Sequence, residues 1–525
     1  MEEVCIMKIT EYKTYAEAKA NFTWDQVWEF FDGDKEHINI AHECIDRHPA
    51  GDIALRLLFY NDGRRETYTF GELARLTSQF AYALEKMGIE KGDRVCVTLD
   101  PCLEYYVALF GTIKRGAIVV PCFTGFGKDG LAYRLKDSGS KLLVTNEEKA
   151  KLMEGENIAH VIKIGEDFKK FIAGYPEAYP CKDNCSGSDV AVYQYTSGTT
   201  RKYPEAVKQY HKSVPIGLPA TLFNVGLRKE DKYFCPSSPA WGHGLWYGTF
   251  APLAVGTATG TGSGRFSEKA FLQGLQDFEI NNIGAPPTVY RQVKNSGIVN
   301  DYKLKLNKIS YTGEPMDSDT FEFIEETFGV APCGGYGSTE TGPIVMDFQG
   351  FSDYKVVKGT LGKPMIGVNV GIIDDKGELV PPGTLGEIAI MRKDGWFRVK
   401  DGAVEDENGY YWHKGRVDDV IISAGWTISP NEIEDKLQKH KNVLEAAVVG
   451  KPDKDRGHVV KAFVKINCEP SDALKKELQE FVKGELSKHE FPREIDFVDS
   501  LPKTEGGKIS RREIKEWVLE ETKGN

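Results

Sequence analysis

Apolar side chains follow two alternating periods along the first part of the chain. After Thr67 they recur at helical spacing on one face, and Gly88 then supplies a stop signal: Leu73, Leu76, Phe80, Leu84 and Met87. Short apolar runs typical of buried strands precede and follow another helical stretch, and they read RVCVTL, AIVVPCF and KLLVTN. This order predicts an α/β fold whose large N-terminal domain has mostly parallel sheets flanked by helices.

Two stretches depart from this alternation. Near the N-terminus, Phe22, Trp24, Trp28 and Phe30 have spacings that predict a helix packed on a larger body. Farther on, residues 233–264 contain no Asp, Glu, Lys or Arg, which is the composition of a membrane span. Seven glycines and Pro252 in that stretch instead favour a buried strand-and-loop region around a pocket.

The pattern changes after Tyr411. Ser429 is placed to cap a helix that begins at Pro430 and has Glu432 as its third residue, the spacing of a capping box. Strands over 443–449 and 459–466, an amphipathic helix over 474–486 and a terminal tail follow. The sequence therefore predicts a small C-terminal α+β domain, with residues 1–417 as the large domain and 418–525 as the small one.

Composition limits the partners of the chain. Among 525 residues, 67 Lys and Arg face 78 Asp and Glu, and the net charge of −11 argues against a nucleic-acid or anionic-membrane surface. The ten cysteines are scattered except for Cys181 and Cys185, and the N-terminus lacks a signal-peptide pattern. We expect a cytoplasmic protein without a membrane span; the oligomeric state, including a homo-oligomer, stays open.

One hydroxyl-rich stretch has the composition of a phosphate-binding loop. An apolar, β-prone approach through Val190 and Val192 leads into YTSGTT, whose hydroxyls and glycine belong to Thr196, Ser197, Gly198, Thr199 and Thr200. Backbone N–H groups and hydroxyl donors hold phosphate oxygens, and glycine lets the main chain approach them. The Walker pattern GxxxxGK[ST] is absent here, so the loop is of another kind.

The chain resembles the adenylate-forming ligase superfamily, and its pattern is most similar to the medium-chain acyl-CoA and benzoate-CoA ligase branches. The resemblance begins near residue 40 and rests on ordered motifs: YTSGTT, YTGEPM, GGYGSTE, GRVDD and PKTEGGKISR. The chain departs from the family after Thr200, where Arg201, Lys202 and Tyr203 precede Pro204 and Glu205 replaces the usual lysine.

The resemblance implies a set of nucleotide contacts. In the family the ring of Tyr336 stacks on adenine, Thr339 lies near the α-phosphate, and Glu340 holds Mg²⁺ against the phosphates. Gly313, Glu314 and Pro315 correspond to the loop beside adenine, Asp401 to the carboxylate that accepts the ribose hydroxyls, and Arg416 to an arginine at ribose or phosphate. The usual Thr-Gly before that carboxylate is replaced by Val399 and Lys400.

The resemblance also assigns residues to the small domain. Lys508 corresponds to the lysine that bridges the incoming carboxylate and the α-phosphate, so we expect Lys508, Thr196 and Glu340 to form the catalytic set. Asp418 corresponds to the hinge, and Gly425 to a glycine beside the pantetheine of CoA. Thr427 stands where the family usually has arginine.

These parts imply an AMP-forming acyl-CoA ligase whose substrates are ATP, CoA and a small carboxylic acid. Acetate-specific relatives place tryptophan just after the stacking aromatic residue, and this chain has Gly337 there. We therefore expect a medium-chain, branched, alicyclic or aromatic acid in a pocket formed by Gly337, Trp241 and His243, with Trp246 as a further candidate. For His243, a satisfied buried histidine is slightly favoured over a polar contact to the substrate. Two alternatives stay open: loading of a carrier protein in trans, and a nucleotide-binding relative with impaired catalysis.

Overall fold

The alternating pattern of the first part of the chain folds as predicted into parallel sheets flanked by helices. We analysed a computed structural model that describes residues 7–195, 205–338, 341–417, 419, 421–423, 426–453, 456–486, 490–503 and 509–524. The described residues divide into two compact units, with the division between Gly367 and Val368.

The strands of the first unit are short and mostly apolar. They are β1 Ile53–Phe59, β2 Arg65–Thr69, β3 Arg94–Thr98, β4 Ile118–Pro121, β5 Leu142–Thr145, β6 His160–Lys163, β7 Val190–Tyr195, β8 Ala206–Tyr210, β9 Lys232–Phe234, β10 Ala258–Ser263, β11 Asn282–Gly284, β12 Lys308–Thr312, β13 Cys333–Ser338, β14 Gly342–Met346 and β15 Lys363–Pro364.

Helices cover the faces of these strands. They are α1 Tyr15–Asn21, α2 Trp24–Trp28, α3 Phe70–Lys86, α4 Leu103–Lys114, α5 Lys128–Ser138, α6 Glu147–Leu152, α7 Glu166–Ile172, α8 Ser213–Phe223, α9 Ala251–Val255, α10 Glu268–Asp277, α11 Pro287–Ser296 and α12 Ser318–Phe328. Two π-helical segments, His42–Asp46 and His243–Phe250, and a 3₁₀ turn, Val299–Asp301, complete the unit.

Two sheets organise the first unit. The first has the order β6-β5-β3-β4-β7-β8, in which all pairs are parallel except β7 with β8. The second has the order β15-β14-β13-β12-β11-β9-β10-β1-β2, with a parallel centre from β13 to β1 and antiparallel edges. Its core contains Leu58, Phe234, Phe271 and Ile309. Parallel strands leave their loops at one edge, which is where ligand sites form.

Two sequence predictions for this unit need correction. The aromatic lead-in forms two short helices, α1 and α2, because Thr14 and Thr23 each begin a new helix. The uncharged stretch 233–264 is helical in its centre, since the π-helical segment His243–Phe250 continues into α9. No described helix has the length and apolar content needed to cross a bilayer.

The second unit has two sheets of its own. Its strands are β16 Val370–Ile373, β17 Leu385–Arg392, β18 Gly395–Glu405, β19 Tyr411–Arg416, β20 Ile421–Ser423, β21 Trp426–Ile428, β22 Val443–Asp453, β23 Gly457–Ile466 and β24 Glu494–Phe497, and its helices are α13 Pro430–Gln438, α14 Asp472–Glu485 and α15 Arg511–Gly524. The first four strands form an antiparallel sheet in chain order. The others form the sheet β21-β20-β23-β22, with β24 parallel to β23.

The start of α13 is as predicted, but its capping box is not. Ser429 is the residue before the helix and Pro430 its first residue, yet the Ser429 side chain makes no cap hydrogen bond. Glu432 instead pairs with Lys414 of β19, 2.5 Å away between Nζ and Oε1. A long-range ion pair of Glu432 therefore takes the place of the predicted local hydrogen bonds of the capping box.

The predicted terminal tail is also a helix. The segment over 511–524 is α15, and its Ile514 and Val518 are buried against Ala447, Val449 and Phe463. The chain after Ser510 is therefore part of the core of the second unit.

The division at Gly367 lies N-terminal to the boundary at 417/418 that the sequence suggests. The reason is that β16 to β19 form a sheet of their own before that point. A division by compactness does not locate a hinge, so a hinge at Asp418 stays a prediction.

Candidate active site

The predicted adenine-side residues come together at the carboxyl ends of two neighbouring parallel strands. In the register of β12 and β13, Tyr311 faces Gly334 and Thr312 faces Gly335. Gly313 and Tyr336 therefore follow at adjacent positions of the same sheet edge, although they are far apart in sequence. The Thr312 hydroxyl donates to the Gly335 carbonyl over 2.6 Å and fastens the two strand ends to each other.

The loop after β12 is held by its own side chains. Gly313 has a φ of +95°, a conformation that favours glycine. The Glu314 carboxylate accepts hydrogen bonds from the Thr288 backbone N–H, at 2.6 Å, and from the Thr288 hydroxyl. Its other oxygen lies 3.9 Å from an Arg291 nitrogen. The Glu314 carboxylate therefore clamps the loop to the start of α11, which leaves the backbone of 313–315 as the surface offered to a ligand.

Gly337 lies in a bulge of the β13–β14 hairpin, where the register shifts between Tyr336 and Gly337. A Cβ atom at residue 337 would lie 2.0 Å from the Gly342 carbonyl oxygen and 2.8 Å from the Pro343 Cα. Real Cβ atoms do not approach backbone this closely, so the hairpin requires glycine here. The sequence interpretation connected this glycine only with the depth of an acyl pocket, and that role stays a prediction.

A buried polar network behind β13 was missed by the sequence interpretation. Asp347 accepts hydrogen bonds from the Gly334 N–H at 2.8 Å and from the Tyr354 hydroxyl at 2.7 Å. The Asn224 amide donates to the carbonyls of Gly334 and Asp347, both at 2.8 Å. Burial raises the pKa of the Asp347 carboxyl to about 7. The available signal was an Asp inside the apolar run IVMDF.

The candidate acyl-pocket residues pack against strands that lead toward the phosphate loop. The Trp246 indole N–H donates to the side chain of Gln194 on β7 over 3.2 Å. The Trp241 ring lies 5.4 Å from that of Phe123, just beyond β4. The uncharged segment 233–264 therefore packs beside β7, where the acyl pocket is predicted.

His243 is a half-buried histidine whose ring nitrogen has a polar partner. Its Nδ1 lies 2.8 Å from the Ser237 hydroxyl. Burial lowers the pKa of His243 to about 4, so the imidazole is neutral at pH 7. Its contacts favour packing over acid–base chemistry, and a role in the acyl pocket stays a prediction.

In the second unit, Asp401 and Arg416 are direct partners in the register of β18 and β19. An Arg416 guanidinium nitrogen lies 4.0 Å from Asp401 Oδ1, and His413 Nε2 lies 3.9 Å from the same oxygen. The strand pair therefore brings together two residues that the family resemblance assigns to the ribose. It also adds His413, which the sequence interpretation did not include.

Lys400 explains how Asp401 keeps its place without the usual preceding glycine. Its φ is +65°, in the left-handed region that glycine enters readily and other residues rarely do. The Lys400 N–H donates to Glu387 over 2.9 Å, and its carbonyl accepts from Val417 over 3.0 Å. A lysine here therefore holds a backbone conformation that favours glycine.

Several predicted site residues lie outside the described residues: Thr196, Ser197, Gly198, Thr199, Thr200, Thr339, Glu340, Asp418, Gly425 and Lys508. The residues on either side of segment 504–508 are described, and Lys503 pairs with Ile509 in an antiparallel bridge. The Ser510 N–H donates to the Pro502 carbonyl over 2.8 Å. The described residues on the two sides of this segment therefore lie beside each other.

Ion pairs connect α15 to the start of the second sheet of this unit. Asp419 lies 2.5 Å from the Lys515 ammonium and 3.9 Å from an Arg511 nitrogen. Arg511 also bonds to Asn431 and Glu434 of α13. Burial raises the pKa of Glu434 to about 7, against the effect of the Arg511 charge.

Comparison with known proteins extends the similarity over nearly the whole chain. The sequence pattern of the AMP-binding enzyme family matches residues 42–398, and that of the AMP-binding enzyme C-terminal domain matches 432–508. The chain is 32% identical to an acetyl-coenzyme A synthetase of Bacillus subtilis (strain 168), over 97% of this chain and 95% of the relative. It is 31% identical to the mitochondrial acyl-coenzyme A synthetase ACSM3 of Rattus norvegicus, over 92% and 91%.

Solved structures show the same fold. A Brucella canis acyl-CoA synthetase matches with a TM-score of 0.75 and 31% identity, over 97% of this chain and all of that one. The anthranilate CoA ligase AuaEII, in complex with anthranoyl-AMP, matches with a TM-score of 0.82 and 26% identity, over 93% and 98%.

Proposed function

Because the chain belongs to the AMP-binding enzyme family, among the AMP-forming acyl-CoA ligases, we propose that it activates a carboxylic acid larger than acetate and transfers the acyl group to CoA. The observation that carries the proposal is the register of β12 and β13, which sets the loop 313–315 beside Tyr336 at a ligand-binding sheet edge. An adenine ring fits between an aromatic side chain and an exposed backbone loop.

In the first half-reaction, a carboxylate oxygen attacks the α-phosphorus of ATP, and the bond to pyrophosphate breaks. Lys508 is the residue proposed to offset the charge of the two approaching anions, as a flexible ammonium can. The Asp401 carboxylate accepts the ribose hydroxyls and fixes the nucleotide. Glu340 is the proposed Mg²⁺ ligand.

In the second half-reaction, the CoA sulfur attacks the acyl carbonyl, and AMP leaves as a better leaving group than oxide. The proposed turn at Asp418 withdraws Lys508 and brings Gly425 to the pantetheine arm. Thr427 supplies no cation there, so one phosphate contact of CoA must come from another residue.

The proposed acid is medium-chain, branched, alicyclic or aromatic. Support comes from Gly337, which adds no side chain beside the stacking Tyr336. Among the relatives, one is named an acetyl-coenzyme A synthetase, while similar structures are named as anthranilate and benzoate CoA ligases. The names thus leave the acid to experiment.

The first test measures AMP and pyrophosphate release with acids from acetate through octanoate and benzoate, with and without CoA. We expect turnover with one class larger than acetate and only when CoA is present. Equal or better turnover with acetate would refute the size proposal. Exchange of pyrophosphate without any acceleration by CoA would favour a carrier protein as the acceptor, and no signal with any acid would favour an impaired relative.

A second test separates the half-reactions. Lys508→Ala should lose on the order of a hundredfold in adenylation but still convert a supplied acyl-adenylate with CoA. Lys503→Ala is the matched control. Lys503 is a lysine of the same C-terminal segment as Lys508, but its ammonium is paired with Glu445 of β22 at 3.0 Å. Equal losses in both half-reactions of Lys508→Ala would contradict the turning of the small domain.

A further inference from the structure

A cavity away from the proposed active site is lined by an unusual set of side chains. Its volume is about 620 Å³, and it lies between the π-helical segment His42–Asp46 and the loop after α7. The lining residues that matter here are His42, Asp46 and Cys181. The cavity is a feature of the first unit, and none of the residues assigned to nucleotide, acid or CoA lines it.

The three residues place different donor atoms close together. One nitrogen of His42, one carboxylate oxygen of Asp46 and the Cys181 sulfur all lie within 4.8 Å of one another. Cys181 is 2% exposed, while the side chains of His42 and Asp46 are 15% and 20% exposed. The set is therefore fixed in the wall and still reachable from the cavity.

Each donor is already oriented by a neighbour. His42 Nε2 lies 3.0 Å from an oxygen of Asp32, an arrangement that fixes the ring and directs its other nitrogen elsewhere. The Cys181 thiol donates to Asp46 Oδ2 over 3.3 Å. The sulfur and this oxygen therefore already share a proton that a cation can replace.

The charges around the cluster favour a divalent cation. Lys114, which is 0% exposed, lies 2.5 Å from Asp46 Oδ1 and also donates to Ala74 and Ser78. Its ammonium occupies one oxygen of Asp46 and leaves Oδ2 toward Cys181. Asp46 and Asp32 carry two negative charges against this one buried ammonium, and Lys182, which also lines the cavity, is exposed.

We propose that His42, Asp46 and Cys181 bind a borderline-soft divalent cation of the Zn²⁺ class, with solvent in the fourth position. Imidazole, carboxylate and thiolate are the donors that Zn²⁺ takes at tetrahedral sites, whereas Mg²⁺ and Ca²⁺ require oxygen ligands. On binding, the Cys181 S–H bond breaks, its proton leaves to solvent, and a sulfur–metal bond forms. The cation joins the N-terminal segment to the loop that leads into β7.

The test is a Co²⁺ titration followed by absorption, because a cobalt–thiolate bond gives a charge-transfer band and tetrahedral Co²⁺ gives visible bands. The protein carries Cys5→Ser and Cys468→Ser to remove a terminal and an exposed thiol. We expect one equivalent to bind, with displacement by Zn²⁺ and none by Mg²⁺. Asp32→Asn should weaken binding by about tenfold or more, since it removes the orienting carboxylate.

Cys181→Ser should abolish the charge-transfer band, and His42→Gln should weaken binding. Cys185→Ser is the matched control, because Cys185 is also 2% exposed and belongs to the same CKDNC loop but not to the cluster. Asp46 is left intact, because its loss would leave the buried Lys114 ammonium without its carboxylate partner. Absence of a stoichiometric band, or a band that persists unchanged in Cys181→Ser and His42→Gln, would overturn the proposal.

Discussion

Two strand pairs carry residues assigned to the nucleotide, and each has a position that favours glycine for a different physical reason. In β13–β14, Gly337 has no room for a side chain, because the backbone of Gly342 occupies the Cβ position. In β18–β19, Lys400 has room but adopts a φ of +65° that disfavours a side chain. A lack of space means that any side chain forces the neighbouring backbone to move, whereas an unfavourable dihedral angle costs energy without a clash.

The largest effect should come from Gly337→Ala. The new methyl group must displace the Gly342 carbonyl, so we expect a loss of about 1–3 kcal/mol in the free energy of unfolding and a larger relative loss in pyrophosphate release. Urea unfolding and the release assay check this. Gly51→Ala is the matched control, because Gly51 has no atom within 4 Å of its Cβ position and, like Gly337, no positive φ. Equal losses in both variants would show that the missing space at residue 337 does not decide the cost.

A second effect concerns the support behind β13. Burial holds the pKa of Asp347 at about 7, above its ordinary value, so the folded state keeps the proton where the unfolded chain releases it. The stability this provides is complete below about pH 4 and is lost as the pH rises through 7. Between pH 5 and 8, the wild type should lose at least about 1 kcal/mol more than Asp347→Asn.

Unfolding by urea at a series of pH values measures this difference. Tyr354→Phe is the companion variant, because it removes a donor to the Asp347 carboxylate and should move the loss to higher pH. Parallel pH profiles for the wild type and Asp347→Asn would show that Asp347 is ionised throughout.

The sequence predicted those parts of the molecule that depend on local order. The α/β fold, the placement of Gly313 after a strand and the start of α13 at Pro430 follow from short-range patterns, and the structure confirms them, whereas Tyr336, expected in a loop, lies within β13. The burial of Asp347, the clamp from Glu314 to Thr288 and the pairing of Glu432 with Lys414 depend on residues distant in sequence. Only the folded backbone brings those partners together, so no local pattern identifies the partners, although the apolar run IVMDF signals the burial of Asp347.

The smallest effect should come from Lys400→Gly. Removing the left-handed strain gains about 1–2 kcal/mol, and the added freedom of the unfolded chain returns about 0.5–1 kcal/mol. We therefore expect a gain of no more than about 1.5 kcal/mol and unchanged AMP formation, measured by urea unfolding and turnover. Lys400→Val should be less stable than the wild type, because a branched side chain is disfavoured at this angle. A loss of stability in Lys400→Gly would mean that the lysine side chain contributes contacts of its own.

The ion pairs of Asp419 make the last helix a lever. Asp419 directly follows the predicted hinge residue Asp418 and forms ion pairs with Lys515 and Arg511 of α15. Ser510, which precedes α15, is bonded to Pro502 on the other side of segment 504–508. If the chain turns at Asp418, these contacts carry the rotation through α15 to the residues on either side of segment 504–508. Lys515→Glu should therefore slow the complete two-step reaction more than it slows either half-reaction measured alone.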